Sequence, residues 1–464
     1  MTNFWDSNVW GFVLLLSFLL GSLLIANAIK RRFAFLKNSL IPNSVLGGII
    51  ILLVEWIYKL VSGNALFEAA AFGANGNDIL ELITYHCLAL GFIASSFNTT
   101  NAKLTKSRAN EIFNTGVTTV ATYLLQGIVG IIITVIAASV VTGFFAGAGI
   151  LLPFGYGQGT GQALNWGAIY EQWEGNVAPF TNGKSFGLTI AALGFLSAAI
   201  GGVVHLNITK ATGKLQLSKR TDGSLHTDTI EEKGEIPMQE SVDKLTVQLA
   251  FILVSYGLAY LIMYLLGKLM PGMKATIYGF NFLLGVLAAT LVKVIVKFLQ
   301  NKKLITRKYT NNFLMTRLSN LFFDIMVVAG VAAIRLDALE QYWGITLILG
   351  VAGLAVTYAY NRFVAKKLFP EYSEEQFLAM FGMLTGTAST GIILLREIDP
   401  EFKTPVSDNL VYQNFPAIVF GFPLMLLANL APEQPVLTVI IFAGMFLALN
   451  IALFRSKIFK KKNK

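Results

Sequence analysis

Residues Phe154 to Trp166 read FGYGQGTGQALNW and stand between long apolar runs. Gly155, Gly157, Gly159 and Gly161 alternate with Tyr156, Gln158 and Thr160. Glycine forfeits backbone order inside a helix, so this stretch interrupts the helical pattern on either side of it. A polar break between apolar walls needs surroundings that satisfy its backbone groups, and the rest of the chain says what those surroundings are.

Of 464 residues, 55% are hydrophobic and 13% charged, far from the charge content of a soluble domain. Runs near the ~20 residues that carry a helix across a bilayer recur along the chain. They predict eleven spans: Val9–Ile29, Leu40–Val61, Ile79–Phe97, Thr115–Val141, Ser185–Ile208, Leu245–Gly267, Thr276–Leu299, Phe313–Ile334, Gly344–Val364, Leu410–Leu430 and Val436–Phe454. Two more apolar segments, Phe144–Trp173 and Glu374–Ile398, are broken near their middles by Gly and Thr. Each predicts a helical hairpin that enters and leaves on one side. The fold class is therefore an all-α integral membrane protein of about eleven transmembrane helices. The amino terminus, MTNFWDSNVW, carries Asp6 and no basic residue before its apolar run, unlike a cleavable signal.

A net charge of +10 is of the sign that nucleic-acid binding requires, but the basic residues are placed by topology. Lys30, Arg31, Arg32 and Lys37 follow the first span; Lys103, Lys106 and Arg108 follow the third. Lys302, Lys303, Arg307 and Lys308 follow the seventh, Arg362, Lys366 and Lys367 close the ninth, and Arg455, Lys457 and Lys460 to Lys462 close the chain. Intervening loops carry acids such as Glu68, Glu171, Glu174 and Glu433. All basic loops share the cytoplasmic side if the amino terminus is outside and the carboxyl terminus inside. The first broken segment then dips in from outside and the second rises from the cytoplasm. A single cysteine, Cys87, excludes an intrachain disulfide, and three scattered histidines offer neither a metal cluster nor a nucleophile–base pair. No enzyme activity and no cofactor is expected.

The chain also repeats. Predicted spans one and two begin about 236 residues before spans six and seven, and Thr160 precedes Thr387 by about 227. The paired spans run in opposite directions, so the two five-helix halves are inverted, each with its hairpin. This predicts a first repeat over 1–210, a cytoplasmic linker over 211–243 without chemistry of its own, and a second repeat over 244–432. An extra span and basic tail follow over 433–464. Inverted repeats with interrupted helices at matching positions point to a secondary transporter with its site at the midplane.

The candidate substrate residues are the two tips: Gly157, Gln158, Gly159, Thr160 and Gly161, and Thr385, Gly386, Thr387, Ser389, Thr390 and Gly391. Half-helix amino termini favour an anion, while free carbonyls and hydroxyls favour sodium. The competing reading is that small residues only permit close helix packing. Asp324 lies halfway along the eighth span, with Asn320 one turn earlier. An intramembrane acid is functional or paired. Three roles fit Asp324 and Arg396: a sodium or proton site at Asp324, a structural ion pair between them, or a substrate carboxylate held by Arg396. Asn98 and Asn101 fit either a helix cap or, mirroring Asn320 and Asp324, an ion site. Asn414, before Pro416, fits either the chamber wall or a proline kink. Glu55, His86 and His205 read as interfacial or structural.

Three motifs, IPNSVLGG at Ile41–Gly48, GYGQGTG at Gly155–Gly161 and GTASTG at Gly386–Gly391, resemble the bacterial sodium/glutamate symporter family. That family pairs an IPxxVxGG helix start with a GHGTG-type first hairpin and a Gly/Thr-rich second one. The resemblance implies a homodimeric carrier in the bacterial inner membrane, importing a small anionic substrate, an acidic amino acid, with sodium as coupling ion by an elevator-like shift. Gln158 stands where the family has His, and GTASTG replaces a GATPT-like run. A carrier of another organic anion, a dicarboxylate or hydroxycarboxylate, is the alternative. The FGYG sequence also resembles a potassium-channel filter, but one copy without a counterpart in the second half cannot form a four-fold ring.

Overall fold

The computed structural model describes residues 3–34, 36, 40–97, 105–212, 235, 242–305, 307–336, 340, 342–399 and 403–458. Among these residues the protein is all helical, with one isolated bridge between Glu235 and Lys308. Ten helices are long and apolar enough to cross a bilayer, or eleven if one bent pair counts as a single span. This is a multi-span membrane protein.

The helices are α1 (Ser7–Arg32), α2 (Asn43–Ser62), α3 (Gly76–Phe97), α4 (Lys106–Val140), α5 (Gly159–Glu171), α6 (Gly183–Ala211), α7 (Lys244–Leu269), α8 (Asn281–Asn301) and α9 (Asn312–Ala332). There follow α10 (Trp343–Leu368), α11 (Ser373–Thr385), α12 (Ala388–Arg396), α13 (Val406–Tyr412), α14 (Asn414–Leu427) and α15 (Pro435–Leu453). Hydropathy located the apolar middles; capping and packing set the ends. Helix α4 runs 35 residues, about 52 Å, because Thr105 caps it by accepting the Arg108 N–H and a polar first turn extends it beyond the apolar stretch. The predicted seventh span starts with a separate short helix, Lys274–Gly279, before α8. The predicted tenth is the bent pair α13 and α14, which meet at 48° next to Asn414 and Pro416.

Both broken segments fold as antiparallel arms. In the first, Ala146–Ile150 is a tight 3₁₀ turn and Pro153–Gly157 a widened π-helical turn; after Gln158 the chain returns as α5. Phe154 stacks on Trp166 at 4.9 Å between ring centres, and Phe145 meets Tyr170 at 5.3 Å, as expected for opposed arms. In the second, α11 breaks at Gly386 and α12 turns back along it. The arms touch where a Cβ on Gly391 would stand 2.4 Å from the Ala379 carbonyl.

The chain divides into two compact units, each discontinuous in sequence. The larger comprises Met1–Asn77, Leu104–Arg220 and Gly330–Lys464. Its α4 packs against α10, α14 and α15, with Val117, Ala121, Val364 and Leu453 buried together. The second hairpin is seated by Phe377, Phe381, Leu394 and Ile398, with Leu40, three residues before α2, in the same cluster. The smaller unit comprises Asp78–Lys103 and Thr221–Ala329. There Phe92 packs against Phe282 and Phe323, and Ser319 donates to the Gly91 carbonyl at 2.9 Å.

Most of the predicted linker 211–243 lies outside the described residues. Its one described interior residue, Glu235, is held by ion-pair and hydrogen-bond contacts. The Glu235 side chain is buried, and its carboxylate accepts from Lys244 Nζ at 2.8 Å and Asn311 Nδ2 at 2.7 Å, with Lys308 Nζ at 3.6 Å. A buried carboxylate is retained only where cations and donors compensate its lost hydration, and here Lys244, itself fully buried, does so.

Candidate functional site

The two hairpin tips meet inside the larger unit. Gly159 sits at φ +78°, a left-handed backbone conformation that glycine adopts without strain. A Cβ built there would stand 3.3 Å from Thr387 Cγ2 and 3.6 Å from the Gly386 carbonyl oxygen. Gly386 is packed differently: its Cβ would come within 2.9 Å of both Phe195 Cδ1 and Thr390 Oγ1. Phe195, on α6, thus lies beside both tips. Neither glycine tolerates a side chain without displacement of a neighbour.

The hydroxyls around the second tip are turned partly inward. Thr385 donates to the Phe381 carbonyl at 2.6 Å, and the Thr387 and Thr390 hydroxyls are 3.4 Å apart. Thr385 and Thr390 are buried. On the first tip, Thr160 is fully buried at a close approach to Gly330, whose Cβ would lie 2.6 Å from it. Gln158 is half-buried at the turn, and Gly161 is buried.

Some candidate glycines serve packing. The Gly157 carbonyl accepts from the Tyr123 hydroxyl at 3.0 Å, and the Tyr123 ring lies where a Gly157 side chain would go. Tyr156 donates to the Gly350 carbonyl at 2.6 Å and lies 2.9 Å from the Ser197 hydroxyl. The Gly-Tyr-Gly run is therefore a packed helical turn and not an extended row of carbonyls. Gly391 separates the arms of the second hairpin. Gly157 and Gly391 are in close packing contact, while Gly159 and Gly386 lie where the tips meet.

The polar residues assigned from sequence fall in several places. Arg396 is exposed at the last turn of α12, and Asn320 and Asp324 are exposed on one side of α9. Asn414 accepts from the Gln413 amide at 2.9 Å at the bend between α13 and α14. Asn98 and Asn101 lie outside the described residues, as does the side chain of Ser389.

Other polar groups that sequence reading passed over line the same unit. Gln126, on α4, donates to Thr357 Oγ1 at 2.8 Å and to the Leu384 carbonyl at 2.9 Å. Thr119 donates to Gln413 Oε1 at 2.8 Å. Gln162, one turn beyond the first tip, is 1% exposed, and neither of its side-chain polar atoms has a partner among the described residues. His205, expected to be structural, is buried with Tyr358 Oη 2.8 Å from Nδ1 and Glu374 Oε2 3.0 Å from Nε2. Glu374 also pairs with Arg362, so the first turn of α11 is fixed to α6 and α10. Single polar residues in apolar spans carry no local signal of partnership, but the recurrence of Gln and Thr one turn apart along α4 was readable as a polar stripe. No family model matches the chain, and no curated protein is detectably similar to it.

Proposed function

We propose that this protein is a secondary active transporter that carries an acidic amino acid into the cell together with sodium. The observation that carries this reading is the contact between Gly159 and the Gly386–Thr387 break, where two interrupted helices present tips within one compact unit. Irregular backbone at membrane depth persists where protein or a polar cavity satisfies it, and paired half-helices are the usual way such proteins hold a substrate. The tip residues Gln158, Gly159, Thr160, Thr385, Thr387 and Thr390 are the proposed substrate contacts. The amino end of α5 suits a carboxylate.

The spacing of elements supports an inverted repeat. Helices begin at Asn43 and Asn281, Gly76 and Asn312, and Lys106 and Trp343, about 237 residues apart each time. Opposed repeats allow alternating access by rocking or sliding one part against the rest. The resemblance to sodium/glutamate symporters adds the elevator mode, the homodimer and the bacterial inner membrane to the proposal. Asn320 and Asp324, one turn apart on α9, are proposed to take part in ion coupling.

Gln158 favours a second reading. It replaces the histidine of the symporter motif with a neutral amide, which suits a dicarboxylate or hydroxycarboxylate equally well. Uptake of labelled glutamate, aspartate, malate and citrate into proteoliposomes, under separate sodium and proton gradients, tests both. Sodium-driven uptake confined to the amino acids supports the first reading. Potassium flux with no substrate uptake would overturn both.

A further inference from the structure

We propose that the seam between α4 and α10, beneath the hairpin tips, binds a hard monovalent cation through Gln126 Oε1 and Asn361 Oδ1. The argument starts from an asymmetry among buried amides. Gln126 is fully buried; its Nε2 donates to Thr357 Oγ1 and the Leu384 carbonyl, yet its Oε1 has no partner among the described residues. Asn361 is 2% exposed; its Nδ2 donates to the Thr357 carbonyl at 2.9 Å and meets Thr122 Oγ1 at 3.4 Å, and its Oδ1 is likewise without a partner. Gln376, on α11, repeats the pattern beside an earlier turn of α4, with Nε2 3.2 Å from Thr115 Oγ1 and Oε1 without a partner among the described residues.

In each case the donor is engaged and the acceptor is vacant. An anion needs the opposite arrangement, since it binds donors. Buried acceptor oxygens are normally satisfied, so those of Gln126 and Asn361 call for a partner that donates a hydrogen bond, as water does, or that accepts electron density, as a cation does. Neutral amide and hydroxyl oxygens suit a hard cation, and the absence of a carboxylate from this set favours one charge over two. Leu384 is the penultimate residue of α11, so the seam adjoins the carboxyl end of a half-helix, where the dipole favours positive charge. On the other side, a Cβ on Gly157 would stand 3.3 Å from Gln126 Oε1. Gln126 therefore touches the last turn before both breaks, and a cation bound to it stiffens both tips together. The site is separate in sequence from Asn320 and Asp324. That the cation drives uptake rests on the transporter reading; that it binds does not.

The test is direct binding of radioactive sodium to the purified full-length protein without substrate, beside thermal stability in sodium and in choline. Wild type is expected to bind saturably and to melt higher in sodium. Gln126→Leu and Asn361→Leu, each checked for a monodisperse elution profile, are expected to weaken binding at least tenfold and to abolish the sodium-dependent shift. Gln126→Glu, which keeps an oxygen at the site and adds charge, is expected to bind more tightly at high pH and to lose that gain on acidification. Absence of saturable binding in wild type, as expected if water alone fills the seam, overturns the proposal. So does wild-type affinity in the leucine variants. If those variants do not fold, unchanged and pH-independent affinity in Gln126→Glu overturns it instead. Uptake is measured in parallel: sodium binding without uptake of any acidic substrate keeps the site and removes the carrier reading. Sodium-driven uptake that persists in the leucine variants keeps the carrier and removes the site.

Discussion

Gly159 and Thr387, which belong to different hairpins, approach so closely that a single added carbon on the glycine would lie 3.3 Å from the threonine methyl. Gly386 is constrained by another mechanism, contact with Phe195 and Thr390, at a negative φ of −150°. The two glycines should therefore fail differently. Gly159→Ala pays for a left-handed backbone, roughly 1–2 kcal/mol, and no neighbouring substitution removes that cost. Gly386→Ala meets the Phe195 ring and the Thr390 hydroxyl at 2.9 Å, closer than the Gly382 carbonyl oxygen at 3.2 Å, so Gly386→Ala with Phe195→Leu should regain part of the uptake that Gly386→Ala loses. Uptake and thermal stability of the four variants check this; rescue of Gly159→Ala by Phe195→Leu would refute it.

Positive charge assigns the faces. Thr212 and Ile458 are exposed at ends expected to be cytoplasmic, and Asn64 at an end expected to be outside. With Cys87→Ala as background, Thr212→Cys and Ile458→Cys should react with an impermeant maleimide only from the cytoplasmic side, and Asn64→Cys only from outside. Reaction of all three from one face would break the proposed orientation.

Glu374 joins His205 and Arg362 at the base of the second hairpin, and its carboxylate is 20% exposed. Removing one member of such a pair leaves an uncompensated charge. Glu374→Leu should cost on the order of 3 kcal/mol, seen as a lower melting temperature. Glu374→Leu with Arg362→Met should recover part of the loss, because two apolar groups leave no buried charge behind. A double variant less stable than the single one would contradict this account.

Glu433 ties the loop after α5 to the start of α15. It accepts from Trp173 Nε1 at 2.9 Å and the Asn176 N–H at 2.8 Å, with the Val177 N–H at 3.4 Å. The Trp173 hydrogen bond first, and the Asn176 and Val177 bonds with it, hold its carboxyl below the usual carboxylate range. A depressed folded value means the tie is at full strength above the ordinary glutamate pKa and is lost as pH falls through the lower folded one. Amide exchange at Asn176 and Val177, corrected for its intrinsic pH dependence, should stay slow at neutral pH and accelerate only in that acid window. Glu433→Gln should remove the acid step; an unchanged step would assign it elsewhere.

The spans were legible in the chain because transfer of a side chain from water to lipid is a local property, summed over some twenty residues without knowledge of partners. The same locality exposed the breaks at Gly155–Gly161 and Gly386–Gly391 and the bend at Asn414–Pro416. Tertiary structure decided which of those small residues meet. Gly159 faces Thr387 across about 228 residues of sequence, whereas Gly391 only separates its own two arms. It also decided which polar residues are buried. Arg396 and Asp324, conspicuous by charge, are exposed, while Gln126, Asn361 and Gln162, inconspicuous in sequence, are buried with polar atoms that have no partner among the described residues. Charge is written in the residue itself. Burial and partnership depend on helices brought together from distant parts of the chain, as α4 and α10 are, and no local window contains both sides of such a contact.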